Sequence, residues 1–181
     1  MGEPIGCLIL TDGAHMEEAR DLASTLSATV EVSRWRGDYG EAQSAFQRCC
    51  GACREKALAC FGEAVLPALA LAIQLELDRM AVVDARLSGN SNRRLARFVR
   101  ANLALCGGEI FWLGSGDIPA LRLERRLHRQ GGIALTLRGE GEAPAWTKCE
   151  FSVKNAICGF MRSGVHSKLL AENSEMCIIY G

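Results

Sequence analysis

The sequence has no excess of either charge and no apolar run long enough to cross a membrane. Lys plus Arg and Asp plus Glu each number 21 in 181 residues, so no global field draws the protein to nucleic acid or to an anionic membrane. The longest apolar stretch, Ala64–Leu75, is shorter than a span and is interrupted by Pro67 and Gln74. These absences exclude an overall basic nucleic-acid-binding chain and a helical membrane protein.

A secretory signal is also lacking. The apolar run Cys7–Leu10 is too short for the core of a signal peptide, and no basic segment precedes it. The nine cysteines, an odd number, are therefore expected to be reduced thiols rather than a disulfide framework. We expect a cytoplasmic protein with free cysteines.

Internal repeats and low-complexity segments are absent, and the chain instead alternates between two kinds of segment. Short apolar or β-branched runs predict strands, and the segments between them, with apolar residues three and four apart, predict helices. The predicted strands are 5–11, 29–35, 57–61, 79–85, 109–113 and 133–137, and the predicted helices are 14–27, 41–55, 64–77, 91–105, 120–130 and 151–161.

Such an alternation predicts an α/β fold of three layers. Its centre is a doubly wound, mostly parallel sheet of about six strands, with helices on both faces. The length fits a single domain, expected at 1–162. A C-terminal extension is expected at 163–181, and its Cys-Ile-Ile-Tyr end could add an edge strand or dock on a partner.

One strand–helix junction resembles a known family. The predicted strand ending at Phe61 runs into Gly62-Glu63-Ala64 and then into a helix rich in Ala and Leu. This junction resembles the nucleophile elbow of α/β hydrolases, in which a strand runs into Gly-x-Ser-x-Gly and a helix. Gly62 keeps the first glycine, whereas Ala64 stands at the serine position and Leu66 at the second glycine.

The order of the flanking segments resembles the same family. Asp12-Gly13 follows the first strand where the family has the His-Gly pair of its oxyanion loop. Asp117 follows a later strand at the position of the triad acid, and Glu142 stands where the family has its histidine. A single helix separates the fourth and fifth strands, so the resemblance implies an α/β-hydrolase-like core without a lid.

The replaced residues decide which function the resemblance implies. Acyl transfer needs an attacking atom, a base and donors for the oxyanion, and Ala64 cannot attack. The resemblance therefore implies a non-catalytic pseudo-hydrolase that acts as a binding or structural subunit, with Asp117 as the one retained catalytic position. The expected binding residues at the strand ends are Asp12, Gly13, His15, Glu63, Ala64 and Glu142.

The same resemblance implies the partners. We expect no cofactor and no metal, and either a protein partner or a small acyl ligand in the crevice at the strand ends. The family's N-terminal strands are missing, which leaves a sheet edge that could pair with a second copy of the chain.

Two alternatives remain open. The first is an active esterase or thioesterase in which Asp12, His15, Asp117 and Glu142 form a rearranged, carboxylate-based site that activates water. The second is an unrelated doubly wound domain, flavodoxin-like or nucleotide-binding, although no Gly-x-Gly-x-x-Gly follows the first strand. Hydrolase topology would place the first strand between the second and the third.

A cysteine cluster has two interpretations. Cys49, Cys50 and Cys53 on one helix could meet a soft metal, or could be small buried residues of the core. A second Cys-x-x-Cys pair and nearby histidines are missing, which favours the core. Cys60 could replace the nucleophile, but its place inside a predicted buried strand argues against a reactive thiol.

Arginines form two helical stripes. Faces of this kind could bind phosphate-bearing ligands or an acidic partner, or they could be ordinary solvated surfaces. The neutral net charge favours solvated surfaces. The stripes are Arg93, Arg94, Arg97 and Arg100 on one helix, and Arg122, Arg125, Arg126 and Arg129 on the next.

Overall fold

The strands of the chain form one hydrogen-bonded sheet in the computed structural model, which describes residues 5–26, 29–88, 92–113, 117–130, 135–138, 151–163 and 177–180. The strands are β1 Ile5–Thr11, β2 Thr29–Arg34, β3 Glu55–Phe61, β4 Arg79–Val83, β5 Glu109–Leu113, β6 Leu135–Arg138 and β7 Cys177–Tyr180. The helices are α1 Met16–Thr25, α2 Tyr39–Cys50, α3 Val65–Gln74, α4 Arg93–Asn102, α5 Ile118–Arg129 and α6 Phe151–Ser163. The prediction of an α/β fold with a parallel sheet is confirmed.

The strand order is β2-β1-β3-β4-β5-β6-β7. Neighbours from β2 to β6 are parallel, and β7 pairs antiparallel with β6. The first strand thus lies between the second and the third. Flavodoxin-like sheets share this order, so strand order alone does not separate the hydrolase resemblance from another doubly wound fold.

Helices cover both faces of the sheet. On one face, α2, α3, α4 and α5 pack on side chains such as Leu8 and Leu10, and on the other face α1 and α6 pack on side chains such as Cys7 and Ile9. Strands buried on both faces read as continuous apolar runs rather than as alternating patterns. This explains why β1 and β5 have the predicted bounds.

The predicted helix 41–55 ends too late. In the structure α2 ends at Cys50, and β3 already begins at Glu55, which pairs with Ile5 of β1. The polar start of β3 belongs to the sheet because it pairs with β1. The local sequence does not predict this pairing. Cys53 therefore lies beyond the helix, and its Sγ contacts the carbonyl oxygen of Cys49 at 3.5 Å.

Seven cysteines have described side chains: five are buried in the core, and Cys53 and Cys106 are partly buried. All seven of them are free thiols, and Cys49 donates to the carbonyl of Cys7 at 3.1 Å. Cys60 is fully buried, and this burial raises the pKa of its thiol. Among the described residues, no group of three or more His, Cys, Asp or Glu side chains could hold a metal ion. In the same part of the chain, no helix has the length and apolarity needed to cross a membrane.

Candidate functional site at the ends of β1 and β3

The connections that leave β1 and β3 run on opposite faces of the sheet. Helix α1, after β1, lies on one face, and α3, after β3, lies on the other. Open α/β sheets bind ligands at such a switch point, beyond the carboxyl ends of the strands. Because Thr11 of β1 pairs with Phe61 of β3, the residues that follow the two strands are neighbours. The structure therefore brings together Asp12, Gly13, His15, Glu63 and Ala64.

A carboxylate links the two strand ends. Oδ1 of Asp12 accepts hydrogen bonds from the backbone N–H groups of Ala14 and His15, both at 3.0 Å, and from Nδ1 of His15 at 2.7 Å. Oδ2 of Asp12 accepts the backbone N–H of Glu63 at 3.0 Å. An ionised carboxylate only accepts, so Nδ1 of His15 bears the proton. We call this arrangement the Asp12 clasp.

Gly62 makes room for the clasp. Its φ of +59° lies in the left-handed region, and a Cβ built on it would lie 1.9 Å from Oδ2 of Asp12 and 2.8 Å from Nδ1 of His15. Only glycine satisfies both conditions. Gly13 is also crowded, since a Cβ there would lie 2.4 Å from the guanidinium of Arg34. The glycine of the elbow-like sequence is thus explained by the contact between two loops.

Asp12 and His15 form an ion pair that is largely shielded from solvent. Their side chains are 14% and 10% exposed. Burial opposes the charge on Asp12, but the hydrogen bonds from His15 and from the N–H of Glu63 outweigh it and lower the pKa of the carboxyl. The hydrogen bond to Asp12 raises the pKa of His15 against its own burial, and the charges of Asp12, Asp84 and Glu18 add to this effect.

This ion pair predicts a stability that declines at alkaline pH. Because the folded pKa of His15 is raised above 6.5, its stabilisation is complete below about pH 6.5 and is lost as the pH rises through the folded value. The lowered pKa of Asp12 acts at the other end, and its stabilisation is lost only as the pH falls below about 3.8. Urea denaturation between about pH 6 and 9 measures the effect.

The control for the pH series is His15→Gln, which keeps a hydrogen-bond donor but does not titrate. We expect the difference in unfolding free energy between wild type and variant to be largest near pH 6 and to shrink as the pH rises. A difference that stays constant over this range would contradict the ion pair.

Ala64 does not face the crevice. It is fully buried and belongs to the core cluster that α3 and α4 form on their face of the sheet. Thr11, the one hydroxyl directly at these strand ends, is buried and donates to the carbonyl oxygen of Asp12 at 3.0 Å. Neither position presents an attacking atom to a substrate.

Asp117 lies apart from the clasp. Its strand, β5, is three positions from β1 in the sheet, which corresponds to about 14 Å. Oδ1 accepts the N–H of Ala120 at 2.9 Å and caps α5, while Oδ2 accepts the N–H groups of Leu87 and Ser88 and the hydroxyl of Ser88 at 2.6–2.8 Å. Burial opposes its charge, but the bonds from Ser88 prevail and lower the pKa of the carboxyl. Asp117 thus ties the β4–α4 loop to α5.

Two further residues need to be placed: Glu142, which was predicted as a site residue, and Asp84, which was not. Glu142 lies outside the described residues. Asp84 was not predicted as a site residue, because the run 79–85 reads as one strand, yet β4 ends at Val83. Asp84 is mostly buried and has a φ of +49°, a backbone conformation that clusters at functional sites. An aspartate directly after a buried strand was the signal that could have identified it.

The chain was compared with protein-family profiles, with curated proteins and with solved structures, and none of them matches it. The residues and their geometry alone therefore bear on function. At the strand ends they supply a carboxylate, an imidazole held by it, and backbone donors that the carboxylate already engages.

Proposed function

We propose that the protein is an α/β-hydrolase-like pseudo-hydrolase, a non-catalytic domain that acts as a binding or structural subunit. The observation behind this proposal is the Asp12 clasp. Oxyanion stabilisation requires backbone N–H groups that are free to receive the developing negative charge. Here the N–H groups of Ala14 and His15, in the loop after β1, donate to Asp12, and the N–H of Val65, the residue after the serine position, donates to the carbonyl oxygen of Gly62. A fixed negative charge at this position also repels an oxyanion.

The placement of the other family positions supports the proposal. Ala64, at the serine position, is buried and has no attacking atom. Asp117, at the acid position, is engaged by Leu87 and Ser88 of the β4–α4 loop and by Ala120 of α5, and it follows a strand three positions from β1. The parts that a hydrolase needs in one place are thus distributed over separate structural contacts.

An active, carboxylate-based hydrolase is the alternative function. The observation that favours it is the Asp12–His15 pair, which orients an imidazole as a general base requires. Against it stands the raised pKa of His15, since the hydrogen bond to Asp12 favours the protonated imidazole over the neutral form that a general base needs.

A hydrolase assay separates the two functions. We expect no turnover of short and medium acyl p-nitrophenyl esters or of acyl thioesters above the rate without protein, and the same result for His15→Gln and for wild type. The reason is that the described ends of β1 and β3 present no attacking atom, and that the N–H groups of Ala14, His15 and Val65 are already engaged there. Release of p-nitrophenol or of free thiol is the measurement.

Turnover by wild type that is lost in His15→Gln would establish the alternative. General acid–base catalysis contributes about 10²–10⁴-fold, so its loss would be unmistakable. Asp117→Ala is a poor probe for this purpose, because loss of four hydrogen bonds at the start of α5 would reduce stability first.

A further inference from the structure

Helices α4 and α5 border a groove with a volume of about 640 Å³. Its floor is apolar and includes Leu66, Val99, Pro119 and Leu123. Five arginines also line it, three of them from α4 and two from α5. These residues are Arg93, Arg97, Arg100, Arg122 and Arg126.

Helical spacing places these arginines on the groove. In α4 they are four and three residues apart, and in α5 they are four apart, so each set occupies one face of its helix. Arg94, next to Arg93, is exposed but does not line the groove. The sequence predicts the two stripes, but only the packing of both helices on one face of the sheet makes them border the same cavity.

The charge of the groove is not neutralised from within. In the described part of the chain, none of the five guanidinium groups forms an ion pair or a hydrogen bond. Of the acidic residues between 92 and 130, Glu124 is buried beside His128 and Asp117 is engaged at the start of α5. Glu109 begins β5, at the opposite end of that strand.

One groove arginine, Arg93, lies at the end of a helix where the dipole disfavours a cation, whereas Arg100 and Arg126 lie in last turns, where the dipole favours cations. Helix α4 begins at Arg93 and has no acidic residue in its first turn. The positive end of a helix favours anions and disfavours basic side chains. A bound anion beside Arg93 would offset its unfavourable position at the start of α4.

We propose that the groove binds an organic ligand bearing a di- or triphosphate. Guanidinium groups match phosphate oxygens in bidentate geometry, and several adjacent groups require several adjacent negative charges. The apolar floor fits a flat or apolar moiety attached to the phosphates. The volume lies in the range of small-molecule sites. This inference goes beyond the proposed function, since the groove lies along α4 and α5 and not at the Asp12 clasp.

Isothermal titration of the full chain with ATP as the probe tests the proposal. We expect saturable binding that weakens about tenfold or more in the double variant Arg97→Gln, Arg122→Gln, because one charge-assisted contact is lost from each side. The matched control is Arg94→Gln, an exposed arginine of the same helix, for which we expect a change below about twofold. Inorganic triphosphate and a single-stranded oligonucleotide are titrated in parallel.

Each result that contradicts the proposal would disprove a different part of it. Absence of ATP binding, or equal weakening by Arg94→Gln, would overturn the groove as a site. Inorganic triphosphate binding as tightly as ATP would overturn the organic part of the ligand, and tighter binding of the oligonucleotide would assign the surface to nucleic acid instead. None of these results alters the hydrolase assay, so the two proposals fail separately.

Discussion

Replacing Gly62 with alanine is expected to lower the free energy of unfolding by about 4 kcal/mol, and the melting temperature by about 10 °C. The added Cβ would lie 1.9 Å from Oδ2 of Asp12 and 2.7 Å from its Cγ. Relief requires either the loss of the hydrogen bond to Glu63 or a shift of the loop after β1. The left-handed φ of +59° adds strain of about 1–2 kcal/mol for any residue with a Cβ. Urea denaturation followed by circular dichroism is the measurement.

Two other glycines separate the contributions to this effect. Gly37 has a φ of +93° and nothing within 4 Å of a built Cβ, so Gly37→Ala measures backbone strain alone. Gly107 also has nothing within 4 Å of a built Cβ, and its φ lies outside the left-handed region. We therefore expect the free energy of unfolding of Gly107→Ala to be within about 0.5 kcal/mol of that of wild type. If Gly62→Ala is no more destabilising than Gly37→Ala, the close approach of Asp12 to Gly62 does not contribute to the loss of stability, and the prediction is wrong.

Replacing Asp12 with alanine is expected to reduce the free energy of unfolding by about 3–4 kcal/mol. The substitution removes one charged acceptor and leaves four donors without it: three N–H groups of the backbone and Nδ1 of His15. The donor of Glu63 matters most, since its bond joins segments 51 positions apart in the chain. Asp12→Asn keeps one acceptor oxygen and should be intermediate.

Asp38→Ala is the matched control for Asp12→Ala. Asp38 also caps a helix, accepting the N–H groups of Gly40 and Glu41 at 2.8 and 3.3 Å, but it is exposed and joins no second strand end. Loss of such a cap costs about 1 kcal/mol. Similar losses for the two variants would mean that Asp12 acts as an ordinary cap and does not link β1 to β3.

Local patterns predicted the framework of the fold. Apolar runs and helical spacing depend on residues close in sequence, and they predicted a parallel sheet with helices between its strands. Where a strand began with polar residues, as at Glu55, or ended in an unusual backbone conformation, as at Asp84, the local pattern failed. The pairing of β3 with β1 decided the first boundary, and a left-handed residue decided the second.

The candidate site was predicted only in part. Asp12, His15 and Glu63 were expected at strand ends because their segments resemble the oxyanion loop and the nucleophile elbow of α/β hydrolases. Their mutual contacts depend on β1 and β3 being neighbours, which no spacing along the chain reveals. The same limit applies to Asp117, whose position after a strand predicts a site residue but whose partners, Leu87 and Ser88, come from another loop.

The sequence by itself determined which segments are strands and helices, which residues follow each strand, and which faces of α4 and α5 are rich in arginine. These properties follow from continuous apolar runs, from the helical period of 3.6 residues and from the chemistry of single positions. Only the tertiary structure decided that Asp12 would accept a hydrogen bond from Glu63 of the elbow-like turn, and that two arginine stripes would border one cavity. Both outcomes depend on which elements become neighbours in the sheet, and that choice is made by burial of the whole core rather than by any local segment.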